Sequence, residues 1–339
     1  MNKSFRSPIP SCPPARETRQ IVACLDRSEQ AARVMDHAFA IGQAMDAPVT
    51  LLQVLETGPE PASRPDPIEW DLRRREARAL LDDLARSQTG TAQGTGVQLA
   101  EGAVADAIVR FAEGNRENLL VLGMGGGGNG SAGHCIGATL HDVLEHTFHS
   151  VLLVPTGAAA PSPGYRRIVV PLDGSPWAES AVPLAVRLAR ASSAELVLAH
   201  VVPSPELTEP RPLEPEDIEL RRQVIARNEA AARDYLERLR RQLAMRDIAA
   251  RVVLRHGENV RRMLARIVAT EQADLVILSA RGHGSCEHSD VRYGSVASYL
   301  MTHAPVPVLV ARPQVARAPA EAALIRNPQP TRTAAFGFA

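Results

Sequence analysis

Gly282, Gly284, Gly294 and Ser295 stand between an apolar run, Leu275 to Leu278, and a segment of helical spacing that carries Val296, Leu300 and Met301. Pro305 and Pro307 end that segment, and Val306 to Val310 reads as another strand. A strand, a glycine loop and a helix start can together hold phosphate. Glycines let the backbone approach an anion, and the unpaired amides of the first helical turn point at it. A loop that needs its glycines only for turning is the plainer reading of the same residues. His283, Cys286 and His288 carry zinc-type ligand atoms, as do His134, Cys135 and His141, but neither set has a matching pair nearby, and no metal site is expected. Ser295, His283 and Asp290 could be drawn as nucleophile, base and orienting acid, yet nothing in their spacing favours hydrolysis. No catalytic residue is assigned. A thiol sensor at Cys135 or Cys286 would need a lowered pKa, as would one at Cys24; that reading stays open beside the inert one.

Composition removes several other chemistries. The formal net charge of the 339 residues is zero, which argues against nucleic-acid or anionic-membrane binding by bulk charge. Aromatic residues are 4% of the chain, too sparse for base-stacking platforms. Lys3 is the only lysine, so neither a P-loop of the G-x-x-x-x-G-K type nor Schiff-base chemistry has a candidate in the folded region. Four scattered cysteines do not make a disulfide framework, and a reduced, cytoplasmic compartment is the simpler reading. No run of 18 apolar residues exists, and the N-terminus lacks an apolar signal core, so neither a membrane span nor a leader is expected.

The elements that must position the glycine loop occur twice. Strand-like runs lie at Ile21–Leu25, Val49–Val54, Val97–Leu99, Leu119–Leu122 and Val151–Val154. Helical spacing covers Ala31–Ala44, Ile68–Ser87, Val104–Ala112 and 139–147, with Leu72, Leu80, Leu81 and Leu84 on one side of the second. The same order returns after the linker. Strands are expected at Arg167–Leu172, Glu195–Val202, Ala250–Arg255, Leu275–Leu278 and Val306–Val310; helices at Ala178–Ala191, Asp217–Met245, Asn259–Thr270 and from Ser295. Asp26 aligns with Asp173, Val54 with Val201, Gly123 with Ser279 and Val154 with Val310. An internal duplication of two α/β units follows. Strands this apolar belong to parallel sheets covered on both faces. The expected division is a disordered tail over 1–17, a first unit over 18–156, a linker over 157–164, a second unit over 165–312 and a disordered tail over 313–339. The arginine-rich helix 217–245 reads as a solvated face with salt bridges.

Several short pieces, in order, resemble the universal stress protein family in tandem: Val170-Pro-Leu-Asp-Gly-Ser175, Ala199-His-Val-Val202, Ser279-Ala-Arg-Gly282, Tyr293-Gly-Ser-Val296 and His303-Ala-Pro-Val-Pro-Val-Leu-Val310. The resemblance covers roughly 19–155 and 166–312. It implies two flavodoxin-like (Rossmann-like) open parallel five-stranded sheets, strand order 3-2-1-4-5, with helices on both faces. It implies a nucleotide at the carboxyl ends of strands 1 and 4, which agrees with the rule that open α/β sheets bind ligands where strand order reverses. Carried onto this chain, Asp173 would bond ribose or adenine, Val201 would meet the adenine edge and Leu278 would line the base pocket. Gly282, Gly294, Ser295 and Val296 would hold phosphate, Pro171 would shape the strand end, and Ser279 stands in the first glycine position. In the first unit the same places fall on Asp26, Val54, Gly123, Gly126 and Gly137.

The chain departs from the G-x-x-G-x9-G-[S/T] pattern of the binding members. Eleven residues separate Gly282 from Gly294, and ten separate Gly126 from Gly137. Ala138 replaces the Ser or Thr, Cys24 replaces the proline, and Arg27 follows Asp26 where a glycine is usual. The expected function is regulated binding of ATP, or of ADP or AMP, with or without Mg, mainly by the second unit in a stress response. Any hydrolysis would be slow and incidental. The alternative is an interaction or dimerisation module that binds no nucleotide. The two units should pair through Val151–Val154 and Val306–Val310, covering two open sheet edges; a homodimer of the whole chain stays open.

Overall fold

The computed structural model describes residues 20–56, 66–87, 94–114, 118–125, 136–161, 164–205, 214–282 and 292–312. The expected tails lie outside these residues, as do Gly126, His134, Cys135, His283, Cys286, His288 and Asp290.

The first unit runs β1 (Gln20–Leu25), α1 (Gln30–Met45), β2 (Val49–Leu55), α2 (Pro67–Ser87), β3 (Thr95–Glu101), α3 (Val104–Glu113), β4 (Asn118–Gly123), α4 (Ala138–His146) and β5 (Ser150–Val154). The second runs β6 (Arg167–Pro171), α5 (Pro176–Glu179), α6 (Val182–Ser192), β7 (Glu195–Pro203), α7 (Pro215–Ala244), β8 (Ala250–Gly257), α8 (Val260–Thr270), β9 (Leu275–Ser279), α9 (Ser295–His303) and β10 (Val308–Ala311). The ten strands form one sheet in the order β3-β2-β1-β4-β5-β10-β9-β6-β7-β8. Read from each end, that is 3-2-1-4-5 twice, and pairing within each unit is parallel. The two units join where β5 meets β10 antiparallel, Val308 opposite Leu153, Leu309 opposite Leu152 and Val310 opposite Val151. Two edges that would otherwise be open are thereby closed.

Strand side chains alternate between the faces, and the core follows that alternation. Ile21, Ala23, Leu51, Leu119, Val121, Leu152, Ile168, Val170, Ile277 and Leu309 pack on one face, under α1, α6 and the C-terminal part of α7. Val22, Leu120, Val151, Leu153, Val169, Val276, Val308 and Val310 pack on the other, with residues of α3, α4, α8 and α9. Both clusters run unbroken across the β5–β10 seam. On the first face α1 lies against α6, and Arg187 Nη2 donates to Met45 O at 3.0 Å.

Two expectations need correction. The helix expected over Ala178–Ala191 is two helices, α5 and α6, because Pro183 has no N–H for a continuous ladder and starts a new helix instead. The apolar side expected for α2 does not hold together: Leu81 is 1% exposed, but Leu72 and Leu80 are 56% and 46% exposed. Successive helical residues diverge by about 100°, so Leu80 and Leu81 cannot both face the sheet. Ala77 and Leu81 make the contact.

Candidate functional site

A cleft of about 360 Å³ opens at the carboxyl ends of β6 and β9, where strand order reverses. Its position follows from the strand ends. Leu172 N donates to Ala199 O of β7 at 2.8 Å, so the preceding residue turns its backbone the other way, toward β9. That residue is Pro171, which has no N–H to give. The β6–β9 ladder is paired only at Ile168–Leu275 and Val169–Val276, and the strands part beyond. In the first unit Cys24 stands at this position, and β1 stays paired with β4 as far as Cys24–Leu122.

Beyond Pro171 the chain turns sharply. Gly174 lies at φ +79°, a conformation that L side chains rarely adopt. Asp173 Oδ1 accepts from Ser175 N at 2.9 Å, and Ser175 Oγ then accepts from Ala178 N at 3.1 Å, capping α5. The other carboxylate oxygen, Oδ2, faces the glycine turn: a Cβ placed on Gly282 would stand 2.5 Å from it. The acidic strand tip and the turn after β9 therefore touch. Gly294 N donates to Ala280 O at 2.8 Å and closes that turn onto the start of α9. Gly294 is the N-cap of α9, in extended backbone (φ −64°, ψ 161°), and among the described residues no side chain caps the helix. Its first-turn amides are left for another acceptor.

Pro171, Asp173, Val201, Leu278, Ser279, Gly282, Gly294, Ser295 and Val296 all line this one cleft. Sequence reasoning missed several neighbours. His200 lines the cleft and its Nδ1 lies 2.6 Å from Leu172 O, so the ring donates there and is held across the strand ends. Val260 and Leu264 of α8 supply apolar wall. The Arg281 guanidinium lies 5.8 Å from the Trp177 ring centroid, joining the two rims of the cleft by a cation–π contact. The signal for that pair was sequence proximity alone, four residues after Asp173 and one before Gly282.

The first unit repeats the frame with different side chains. Asp26, Val54, Gly123 and Gly137 line a wider cleft of about 820 Å³, together with Arg27, Gln30, Trp70 and Arg73. Asp26 Oδ1 accepts from Ser28 N at 3.0 Å, as Asp173 does from Ser175. Gly137 caps α4 at φ −64°, ψ 160°, nearly the backbone of Gly294. Gln30 stands where Trp177 stands in the second unit. Its amide reaches across to Val154 O at 2.9 Å, and its Cγ would be 2.9 Å from a Cβ on Gly123. The strand-4 end is thus occupied by the chain's own side chain. Burial pushes the Cys24 thiol up to about 12, so it holds its proton and is no thiolate sensor.

Among the described residues no helix is long and apolar enough to cross a membrane, and no cluster of three metal-ligating side chains occurs. Comparison with solved structures returns a universal stress protein from Archaeoglobus fulgidus, 18% identical, spanning 88% of this chain and 100% of that one at a TM-score of 0.64. A putative universal stress protein from Pseudomonas aeruginosa is 15% identical over 87% of this chain and 94% of that one, TM-score 0.61. A universal stress protein solved in complex with cAMP is 24% identical over 41% of this chain and 98% of that one, TM-score 0.33. The comparison with curated proteins returned no match. The pattern of the universal stress protein family matches residues 17–155 and again 164–312. Two copies in tandem, spanning most of the sequence and built on one repeated α/β plan, mean that this chain belongs to the universal stress protein family.

Proposed function

We propose that the chain binds an adenine nucleotide, ATP foremost, and acts as a regulatory factor in a stress response, with the second unit as its main site. The single observation that carries this is the apposition of Asp173 and Gly282: an acidic strand tip against a glycine turn that leads to an uncapped helix start. In this reading Asp173 bonds the ribose or base, and Val201 and Leu278 flank the ring. The amides of Gly294, Ser295 and Val296 hold phosphate, with the Ser295 hydroxyl beside them. His200, held by Leu172 O, adds a polar edge to the base pocket. Mg would accompany the phosphates and take ligands from them and from water, since carboxylate cages are lacking among the described residues. The site offers Asp173 as its one carboxylate at the β6 tip, already engaged with Ser175 N, which favours binding over turnover. The first unit is the weaker binder, because Gln30 covers Gly123. Its role is to complete the sheet through β5.

Calorimetry of the full chain with ATP, ADP and AMP tests this. Saturable binding abolished by Asp173→Ala and Gly282→Val is the expected result. A folded chain that shows no heat with any of the three would leave the interaction-module reading in its place.

A further inference from the structure

Beside the second cleft, at the seam between the units, two arginines carry hydrogen-bond donors that no described residue satisfies. Arg292 Nη1, Arg312 Nε and Arg312 Nη2 are sealed from solvent and have no acceptor among the described residues. Each guanidinium lies over an aromatic ring, Arg292 over Phe148 of the first unit at 4.6 Å and Arg312 over Tyr293 at 4.5 Å. Ring contact engages the face of a guanidinium; its N–H bonds lie in the plane and still need acceptors. Burial raises the Tyr293 hydroxyl above its ordinary pKa, while the Arg312 charge, a side-chain hydrogen bond from Arg312 and the Arg292 charge pull against that, so both arginines act on the same hydroxyl. Tyr293 is fixed in turn, its hydroxyl donating to Leu144 O of α4 at 3.3 Å. The Arg312 backbone is fixed by Ser150 Oγ, which accepts from its N–H at 3.1 Å. Both arginines are thus anchored at the seam, Arg292 on a ring of the first unit and Arg312 on Tyr293 and Ser150, and each keeps unmet donors. Glu145 is near enough to act on Tyr293, yet the three nitrogens remain without an acceptor among the described residues.

We propose that Arg292 and Arg312 form a seam site for a phosphate-class oxyanion. Forked donors of this kind match a tetrahedral oxyanion with paired bonds, and one anion between two guanidinium groups offsets their repulsion. The oxyanion has two sources. It is free phosphate, or it is the terminal phosphoryl group of a nucleotide in the adjoining cleft, since Gly294 is two residues from Arg292. The second source rests on the function proposed above; the first does not.

The test uses the full chain and inorganic phosphate, titrated at fixed ionic strength against chloride. The thermal midpoint of the native protein should rise and saturate, and the rise should vanish in Arg292→Gln/Arg312→Gln while persisting in Asp173→Ala. If that double variant does not fold, Arg292→Lys and Arg312→Lys keep the charge and lose the fork; each should weaken phosphate about tenfold. A parallel arm compares ATP with adenosine. An ATP affinity that falls about tenfold in the arginine variants while adenosine is unchanged assigns the site to the nucleotide's phosphoryl group. Unchanged ATP affinity with phosphate binding intact assigns it to the free ion. A phosphate response that survives in the arginine variants overturns the site. So does a native protein with no such response and an ATP-to-adenosine ratio that the arginine variants leave unchanged. Failure of ATP binding alone would strike the nucleotide reading and leave the free-phosphate arm standing.

Discussion

Gly282→Ala separates the site from the scaffold. The added methyl carbon would sit 2.5 Å from Asp173 Oδ2, whereas non-bonded heavy atoms settle at about 3.5 Å, so the carboxylate must retreat by roughly 1 Å. Gly282 is not in the left-handed region, so alanine brings no backbone strain there. Asp173 is solvent-exposed at the strand tip and can swing toward water, at about 0.5–1.5 kcal/mol for the poorer rotamer. Losing the bond from Ser175 N to Oδ1 adds about 0.5–1.5 kcal/mol, so the stability cost is about 1–3 kcal/mol. The binding cost is separate. An Asp173 turned away forfeits a charge-assisted hydrogen bond to the ligand, about 1.5–3 kcal/mol, or roughly tenfold to a hundredfold in Kd. Asp173→Ala should lose the same amount, and the double variant little more than either, because both changes remove one interaction. Calorimetry with ATP gives the affinities, and urea unfolding of the free protein gives the stabilities. Native-like ATP affinity in Gly282→Ala, or additive losses in the double variant, would refute the coupling of this turn to this carboxylate.

Gly174→Ala should cost about 1 kcal/mol, since φ +79° suits only glycine there, whereas Arg27→Gly at the matching turn, whose φ is not positive, should destabilise by about 0.5–1 kcal/mol; chemical denaturation reads both. His37 is buried against Tyr165, its Nδ1 2.9 Å from the hydroxyl, and burial lowers its pKa from 6.5 to about 4. The unfolded chain takes up that proton first, so stability is full above pH 6.5 and declines as pH falls toward 4, by about 3 kcal/mol in all. Unfolding measured from pH 7 to 4 should show a slope that His37→Gln flattens; an unchanged slope would assign it to other groups. The shared sheet and the two core clusters spanning the seam should make both units unfold in one calorimetric transition, and two resolved transitions would contradict that.

How far the sequence could be read depended on whether a feature was local or paired. Ile168–Val170 and Leu275–Leu278 are apolar on both faces, which only a covered parallel strand tolerates, so the strands and their repetition were plain. The residues of the second cleft could be listed because each sits at a strand end or helix start fixed by its own neighbours. Contacts between segments were not legible. Nothing near Gln30 says that its amide will span to Val154 O, and nothing near Arg292 says that Phe148 will lie beneath it. The break at Pro183 was missed, although its signal is local: a proline inside a helical run lacks the donor that the run requires.

The two halves differ by substitutions that act together. Where the second has Pro171, Gly174 and Trp177, the first has Cys24, Arg27 and Gln30. Proline ends the β6–β9 ladder early and lets the strand tips part; cysteine leaves β1 and β4 paired to Cys24–Leu122. Glycine permits the left-handed turn that follows Asp173; arginine does not adopt it. Tryptophan joins Arg281 at the rim and leaves the turn at Gly282 to Asp173; glutamine lies on Gly123 and bonds the neighbouring strand. Each change alone would be minor. All three bear on the ends of strands 1 and 4: in the first unit Gln30 lies on Gly123 beside the wider cleft, whereas in the narrower second cleft Asp173 meets the bare turn at Gly282. The β5–β10 pairing, by contrast, draws on residues of both units equally. One copy keeps a bare turn against its acidic strand tip while both keep the shared edge, which suits the proposed division of labour: the second half would present the ligand site, and the first completes its sheet and holds Tyr293 and Arg292 through Leu144 and Phe148.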